Sequence, residues 1–140
     1  MTAPDPATQA GARALALLDG ELIGWLTTID PAGQPQTSAV WFLWQDGEIL
    51  VFSGKRARRN DNLLAHPLVN FNLNSDPGGG DIVTMEGAAR IDLAAGPATA
   101  SAAYLAKYRG LLADYDWSVE YFAAEYPVPV LVRPTRWRVG

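Results

Sequence analysis

The dipeptide Asp46-Gly47 limits the choice of fold more than any other feature of the chain. It separates two apolar runs, Gln36 to Gln45 and Glu48 to Ser53. Two residues of this type take the chain through positive φ and return it antiparallel with the twist that strands prefer. Parallel strands need long crossovers, which a two-residue link excludes here. Other turn and strand signals agree. Glu21 to Ile29 reads as a strand, followed by Asp30-Pro31-Ala32-Gly33 with Pro second and Gly fourth in a tight turn. Leu68 to Asn74 alternates, with Val69, Phe71 and Leu73 on one face and Asn70, Asn72 and Asn74 on the other. Ile82 to Leu93 is a strand with Gly87 as a bend or bulge, and Val128 to Val139 is a last strand broken near Pro134.

Helices are few. Ala7 to Leu18 carries a helical stripe. Asn60 to His66 is a short helix stopped by Pro67. Pro97 to Arg109 reads as a helix with Gly110 as its stop, and Asp114 to Glu125 as another, capped by Asp114 or Asp116. Six short strands joined by hairpin turns predict a mainly β protein with helices, its antiparallel sheet closed into a barrel. A chain of 140 residues is expected to form one domain, 1–140, with Met1 to Pro6 as a loose leader.

Composition narrows the function. The formal net charge of −4 argues against nucleic acid or an anionic membrane as the main partner. No cysteine and a single histidine, His66, leave no thiolate site and no metal cluster to expect. His66 precedes Pro67 at a helix end, which suits a structural role better than a catalytic triad. Gly78-Gly79-Gly80 leads into a strand and has no following Lys-Ser or Lys-Thr, so it reads as a hairpin connection and not a phosphate loop. No apolar run approaches the ~20 residues of a membrane span. The N-terminus lacks a basic segment of the secretory type, so a cytoplasmic location is expected.

Against this acidic background, four of the 11 Lys and Arg residues fall between Lys55 and Arg59. They sit where the strand ending at Ser53 gives way to the helix beginning near Asn60. Cations are disfavoured at a helix N-terminus, whereas its free N–H groups bind anions. The pattern makes sense if a phosphate or similar anion is bound there. On the strand before the hairpin turn, Trp41 lies on one face and Phe42 with Trp44 on the other. Packing accounts for most of these rings, but one of them could line a pocket for a flat ligand beside the anion site. Trp and Tyr in excess of one small barrel's needs point to a subunit interface.

Several stretches together resemble the pyridoxamine 5′-phosphate oxidase-like split barrels. They are Thr27 to Trp44, Phe52 to Leu63 followed by His66-Pro67, Ile82 to Arg90, and Arg133 to Trp137. Within that family the set is most similar to actinobacterial oxidoreductases that use the deazaflavin coenzyme F420. The resemblance implies a six-stranded antiparallel split β-barrel and a homodimer with two cofactor sites at its interface. It also implies hydride transfer from the reduced cofactor to an electron-poor small molecule such as an enone or quinone. By the same resemblance Arg59 takes the place of the family's phosphate-binding Lys, and Asn62 with Leu63 completes that motif. Ser53, Lys55, Arg56 and Arg58 would surround the phosphate or the polyglutamate tail. Thr37, Ser38, Ala39, Val40 and Trp41 would run along the ring system. FMN is the alternative cofactor, and a non-catalytic cofactor carrier the alternative role. Tyr104, Tyr108 and solvent stand open as proton donors.

Overall fold

A computed structural model describes residues 3–140. Helix α1 (Gln9–Gly20) precedes strands β1 (Gly24–Ile29), β2 (Pro35–Val40), β3 (Leu43–Gln45) and β4 (Glu48–Ser53). Helix α2 (Arg58–Ala65), β5 (Leu68–Leu73), β6 (Val83–Ile91), α3 (Ala102–Asp114), α4 (Val119–Glu125) and β7 (Val128–Val139) follow. All seven strands form one antiparallel sheet in the order β2-β1-β5-β6-β7-β4-β3. No helix among the described residues is long and apolar enough to cross a membrane.

The sheet order explains its curvature. Strands β2 and β3 lie at opposite ends of the sheet, yet only Trp41 and Phe42 separate them in the chain. Three virtual bonds span at most about 11 Å. The sheet must therefore curl until its two ends face each other, which gives a half-barrel joined by the backbone. This corrects the expected single strand from Gln36 to Gln45 and raises the count from six to seven. It also corrects the expected closure, because no ladder joins β2 to β3.

Phe42 at this crossing has no strand partner for its peptide groups. Helix α3 supplies them. The Tyr108 hydroxyl accepts from the Phe42 N–H at 2.6 Å and lies within hydrogen-bond distance of the Phe42 and Leu22 carbonyls, at 2.9 and 2.8 Å. Lys107 Nζ donates to the Phe42 carbonyl at 2.8 Å and lies 3.7 Å from the centre of the Phe42 ring. Backbone groups without a ladder are satisfied by side chains of a packed helix.

Two cores result. Inside the half-barrel, alternate residues Leu26, Phe42, Ile49, Val51, Phe71, Met85 and Trp137 pack together with Ala14 and Leu18 of α1. On the outside, Leu50 and Phe52 of β4 meet Tyr104, Tyr108 and Leu112 of α3 and Phe122 of α4. Strand β4 is buried on both faces, which is why Ile49 to Phe52 is a continuous apolar run. The expected alternation of β5 and the opposite faces of Trp41 and Phe42 both hold. So does the Asp46-Gly47 turn, with φ of 54° and 75°.

Gly87 lies at a bulge as expected. There β7 is bent rather than broken: Gly87 pairs with Pro134 and Glu86 with Arg136, so Thr135 is the extra residue. A Cβ on Gly87 would come within 2.6 Å of the Arg133 carbonyl oxygen, which leaves glycine as the residue that fits.

The helix limits need correction. Pro97 to Ser101 contributes only a 3-10 turn (Ala98–Ala100), and Ser101 caps α3 by accepting from the Tyr104 N–H at 3.3 Å. Gly110 does not stop α3. Tyr104, Tyr108 and Leu112 share its buried face, and their burial outweighs the roughly 1 kcal/mol that an interior glycine costs. The helix ends where Trp117 N–H reaches the Leu112 carbonyl and Asp116 N–H the Ala113 carbonyl, with Asp116 at φ 56°. This is a Schellman motif with Asp in the place usual for glycine. Helix α4 is capped by Ser118, not by Asp114 or Asp116.

The clamp on Phe42 gives two expected outcomes. Tyr108→Phe leaves a buried N–H without its acceptor and should lower stability by about 1–3 kcal/mol, read from the urea midpoint. Burial holds the Lys107 amine at about 8, below its ordinary 10.5. The unfolded chain then keeps a proton that the folded chain releases, so this group makes stability rise between about pH 8 and 10. Tyr104 and Tyr108, both pushed up by burial, act in the opposite sense above pH ~10, where the unfolded phenols ionise first. Melts across this range should show the rise, and Lys107→Met should flatten it.

Candidate functional site

Arg59 stands in the first turn of α2, beside the gap between the two ends of the sheet. Its Nη2 donates to Ser38 Oγ on β2 at 2.7 Å and its Nη1 to Ser53 Oγ at the end of β4 at 3.1 Å. One guanidinium therefore bridges the two halves of the half-barrel. Burial lowers its pKa from the ordinary arginine value. It nevertheless stays charged at neutral pH, as arginine does in proteins. Among the described residues no carboxylate pairs with it. A partly buried cation is normally compensated by an anion, and here the described residues supply only hydroxyls.

Two cavities meet at Arg59. The polar one, about 310 Å³, is lined by Thr28, Gln36, Thr37, Ser38, Ala57, Arg58 and Asn62 as well as Arg59. It contains two guanidinium groups and no acid. Ala57, the residue before α2, makes no side-chain cap, so the first N–H groups of the helix are left for other acceptors. Asn62 is fully buried. Its Nδ2 donates to Thr28 Oγ1 at 3.0 Å and to Gln36 Oε1 at 2.9 Å, while its Oδ1 has no partner. Thr37 hydrogen-bonds across the ladder to Thr27 at 2.7 Å.

The second cavity, about 230 Å³, is aromatic. Ala39, Val40 and Trp41 form one side, and Tyr115, Trp117 and Tyr126 the other. The Trp41 ring lies flat on Tyr108, with centroids 4.8 Å apart and an interplanar angle of 3°. The turn at Asp116 swings Trp117 back over the end of α3, within 6.2 Å of Trp41 and 5.2 Å of Tyr115.

The predicted residues fall into three groups. Thr37, Ser38, Arg58, Arg59 and Asn62 line the polar cavity, and Ala39, Val40 and Trp41 line the aromatic one, with Arg59 shared. Ser53 is buried beneath Arg59. Lys55 and Arg56 line neither. Lys55 pairs with Glu125 of α4 at 3.5 Å, and Arg56 is exposed. Tyr104 and Tyr108 are both buried, but they differ: the Tyr108 hydroxyl is engaged at Phe42 and is not placed as a proton donor, whereas Tyr104 lines the aromatic cavity and its hydroxyl has no hydrogen-bond partner among the described residues. His66 ends α2 and is exposed. No group of metal-ligating side chains occurs among the described residues. Sequence reading missed Thr28 and Gln36, which contribute through strand pairing, and the wall of Tyr115, Trp117 and Tyr126. The clustering of aromatics from Tyr115 to Tyr126 was the available signal for that wall.

Residues 11–126 match the family model described as pyridoxamine 5′-phosphate oxidase. The chain belongs to the pyridoxamine 5′-phosphate oxidase family. Its split-barrel fold is shared with many solved structures. One described as an F420 reductase is 27 % identical, with 88 % of this chain and 94 % of that one covered and a TM-score of 0.64. A conserved protein of Mycobacterium tuberculosis is 22 % identical, with 94 % and 84 % covered and a TM-score of 0.70. The heme storage protein HutZ of Vibrio cholerae is 14 % identical, with 94 % and 95 % covered and a TM-score of 0.65. No curated protein matches the chain significantly. Members of the pyridoxamine 5′-phosphate oxidase family typically bind flavin cofactors.

Asn62 provides a check on the polar cavity that needs no ligand. Asn62→Ala removes two donated hydrogen bonds from a buried position and should cost about 1–3 kcal/mol in urea unfolding. Gln36→Ala, at the half-exposed end of the same network, should cost less than 1 kcal/mol.

Proposed function

We propose that this protein is an F420-dependent reductase that holds the phosphate of the deazaflavin cofactor on Arg59. The observation that carries the reading is a largely buried guanidinium with hydroxyl partners and no carboxylate partner among the described residues. The donor set fits a phosphate: Arg58 and Arg59, the hydroxyl of Ser38, and the uncapped start of α2, with Ser53 holding Arg59 from beneath. Bound in reduced form, the cofactor supplies a hydride to an electron-poor conjugated small molecule. The chain's own part is to position and to exclude water. The stretch from Thr37 to Trp41, edge strand β2 and the first residue of the link after it, lines both cavities and offers a wall along which a ring system can lie. The F420 reductase among the similar structures supports this cofactor.

We further propose a cytoplasmic homodimer, with the exposed face of β2 at Thr37 and Ala39 completed by a second subunit. Lys55 and Arg56 act at longer range on the anionic tail.

FMN carries a phosphate too, and family membership favours it as the second reading. Titrating the apo-protein with F420 and with FMN separates the two. F420 should bind at least tenfold more tightly, and the reverse order would establish the flavin reading. Arg59→Ala should raise the dissociation constant about ten- to a hundredfold, from the loss of charge-assisted bonds worth roughly 1.5–3 kcal/mol. Lys55→Ala should change it less, with an effect that fades as salt rises. A folded Arg59→Ala protein that binds as tightly as the parent removes the anion site.

A further inference from the structure

We infer that Lys107 is a modification site, acylated at its amine by an activated acyl donor such as an acyl phosphate, and that the product loosens the clamp on Phe42. The inference does not depend on the cofactor reading, and neither Lys107 nor Phe42 lines either cavity.

The chain has two lysines, and the fold treats them differently. Lys55 is exposed and pairs with Glu125 at 3.5 Å. Lys107 is half-buried, and no carboxylate among the described residues lies within ion-pair distance of it. Its Nζ is held instead by the Phe42 carbonyl at 2.8 Å and the face of the Phe42 ring at 3.7 Å, with the Tyr108 ring 5.4 Å away. One carbonyl and two rings replace water poorly around an ammonium, so the uncharged amine is favoured. Asp19 and Glu21, at the end of α1, oppose this but do not restore ordinary basicity. With its pKa at about 8, about half of the amine is uncharged at pH 8, against well under a hundredth for an ordinary lysine. The uncharged amine is the nucleophile, and its weaker basicity offsets only part of that gain.

In the step itself the Nζ lone pair attacks the acyl carbonyl carbon. A C–N bond forms, the C–O bond to phosphate breaks, phosphate leaves with that electron pair, and the nitrogen gives one proton to solvent. The product is an uncharged amide, which loses the cation–π contact with Phe42 and the charge on the bond to its carbonyl. Tyr108 cannot make up the loss. Its hydroxyl has one proton and already faces the carbonyls of both Leu22 and Phe42. Lys107 relieves that competition, and acylation restores it.

Acetyl phosphate is the probe, with the two lysines followed by peptide mapping. In the folded protein at pH 8, Lys107 should be acetylated at least about fivefold faster than Lys55, although Lys55 is the more exposed. The Lys107 rate should level off above about pH 9 while the Lys55 rate goes on rising, and in urea-unfolded protein the two rates should agree within about twofold. The Lys55→Arg protein, acetylated at its one remaining lysine, should unfold at a lower urea midpoint than before treatment and lose the rise in stability between about pH 8 and 10. The Lys107→Arg protein, treated in the same way, should keep its midpoint. Equal rates for the two lysines in the folded protein, or a faster Lys55, overturn the modification site. A midpoint and a pH response left unchanged by acetylation of Lys107 overturn the loosening of the clamp.

Discussion

The rest of the structure depends on a two-residue link. Trp41 and Phe42 carry the chain from one end of the sheet to the other, and the sheet has to curl to allow it. Such a crossing strands the peptide groups of Phe42 between two ladders. In a buried position that would cost more than a hydrogen bond contributes. Tyr108 and Lys107 remove the penalty from outside the barrel. Helix α3 is therefore a structural part of the crossing between the two ends of the sheet, where Tyr108 and Lys107 meet Phe42. The same crossing sends Phe42 inward and Trp41 outward, which divides the molecule into a mixed aliphatic and aromatic interior and an aromatic-rich outer layer.

The site is a consequence of the gap that the link leaves. Because β2 and the β3–β4 end of the sheet face each other without a ladder, a side chain has to bridge them, and Arg59 does so through Ser38 and Ser53. In an acidic protein this is an unusual use of a cation. Elsewhere the ion pairs are ordinary and exposed, such as Arg13 with Asp81. Exposed pairs of that kind contribute little. At Arg59 the surroundings are drier and no carboxylate among the described residues pairs with it, so the field of its charge is less screened.

A split barrel does not name its ligand. Structures of similar fold include one described as an F420 reductase and another as a heme storage protein. Function on a shared fold resides in particular side chains. In this chain the proposed ones are Arg58 and Arg59, which form no ion pair among the described residues, and the aromatic wall that includes Tyr115 and Trp117 at the end of α3. The wall exists because Asp116 adopts a left-handed conformation and folds Trp117 back over the helix.

Much of this was legible in the sequence wherever the signal was local. The Asp46-Gly47 turn, the alternation of Leu68 to Leu73, the bulge at Gly87 and the opposite faces of Trp41 and Phe42 follow from steric rules acting within a few residues. The basic stretch marked the right strand-to-helix junction, and Arg59 within it proved central to the geometry. The break after Val40 had no local signal, because either side of it is good strand sequence. The run of α3 through Gly110 had none either, because burial of Tyr104, Tyr108 and Leu112 overrides a weak local preference. The resemblance singled out Arg59, but no local signal showed that it is held by two serines across the gap while Lys55 is turned away to Glu125. The sequence by itself determined which segments are strands, which faces they bury and where cations gather, since these depend on neighbouring residues. Only the tertiary structure decided where the sheet splits and which cation is left without a counter-charge, since both depend on groups brought together from distant parts of the chain.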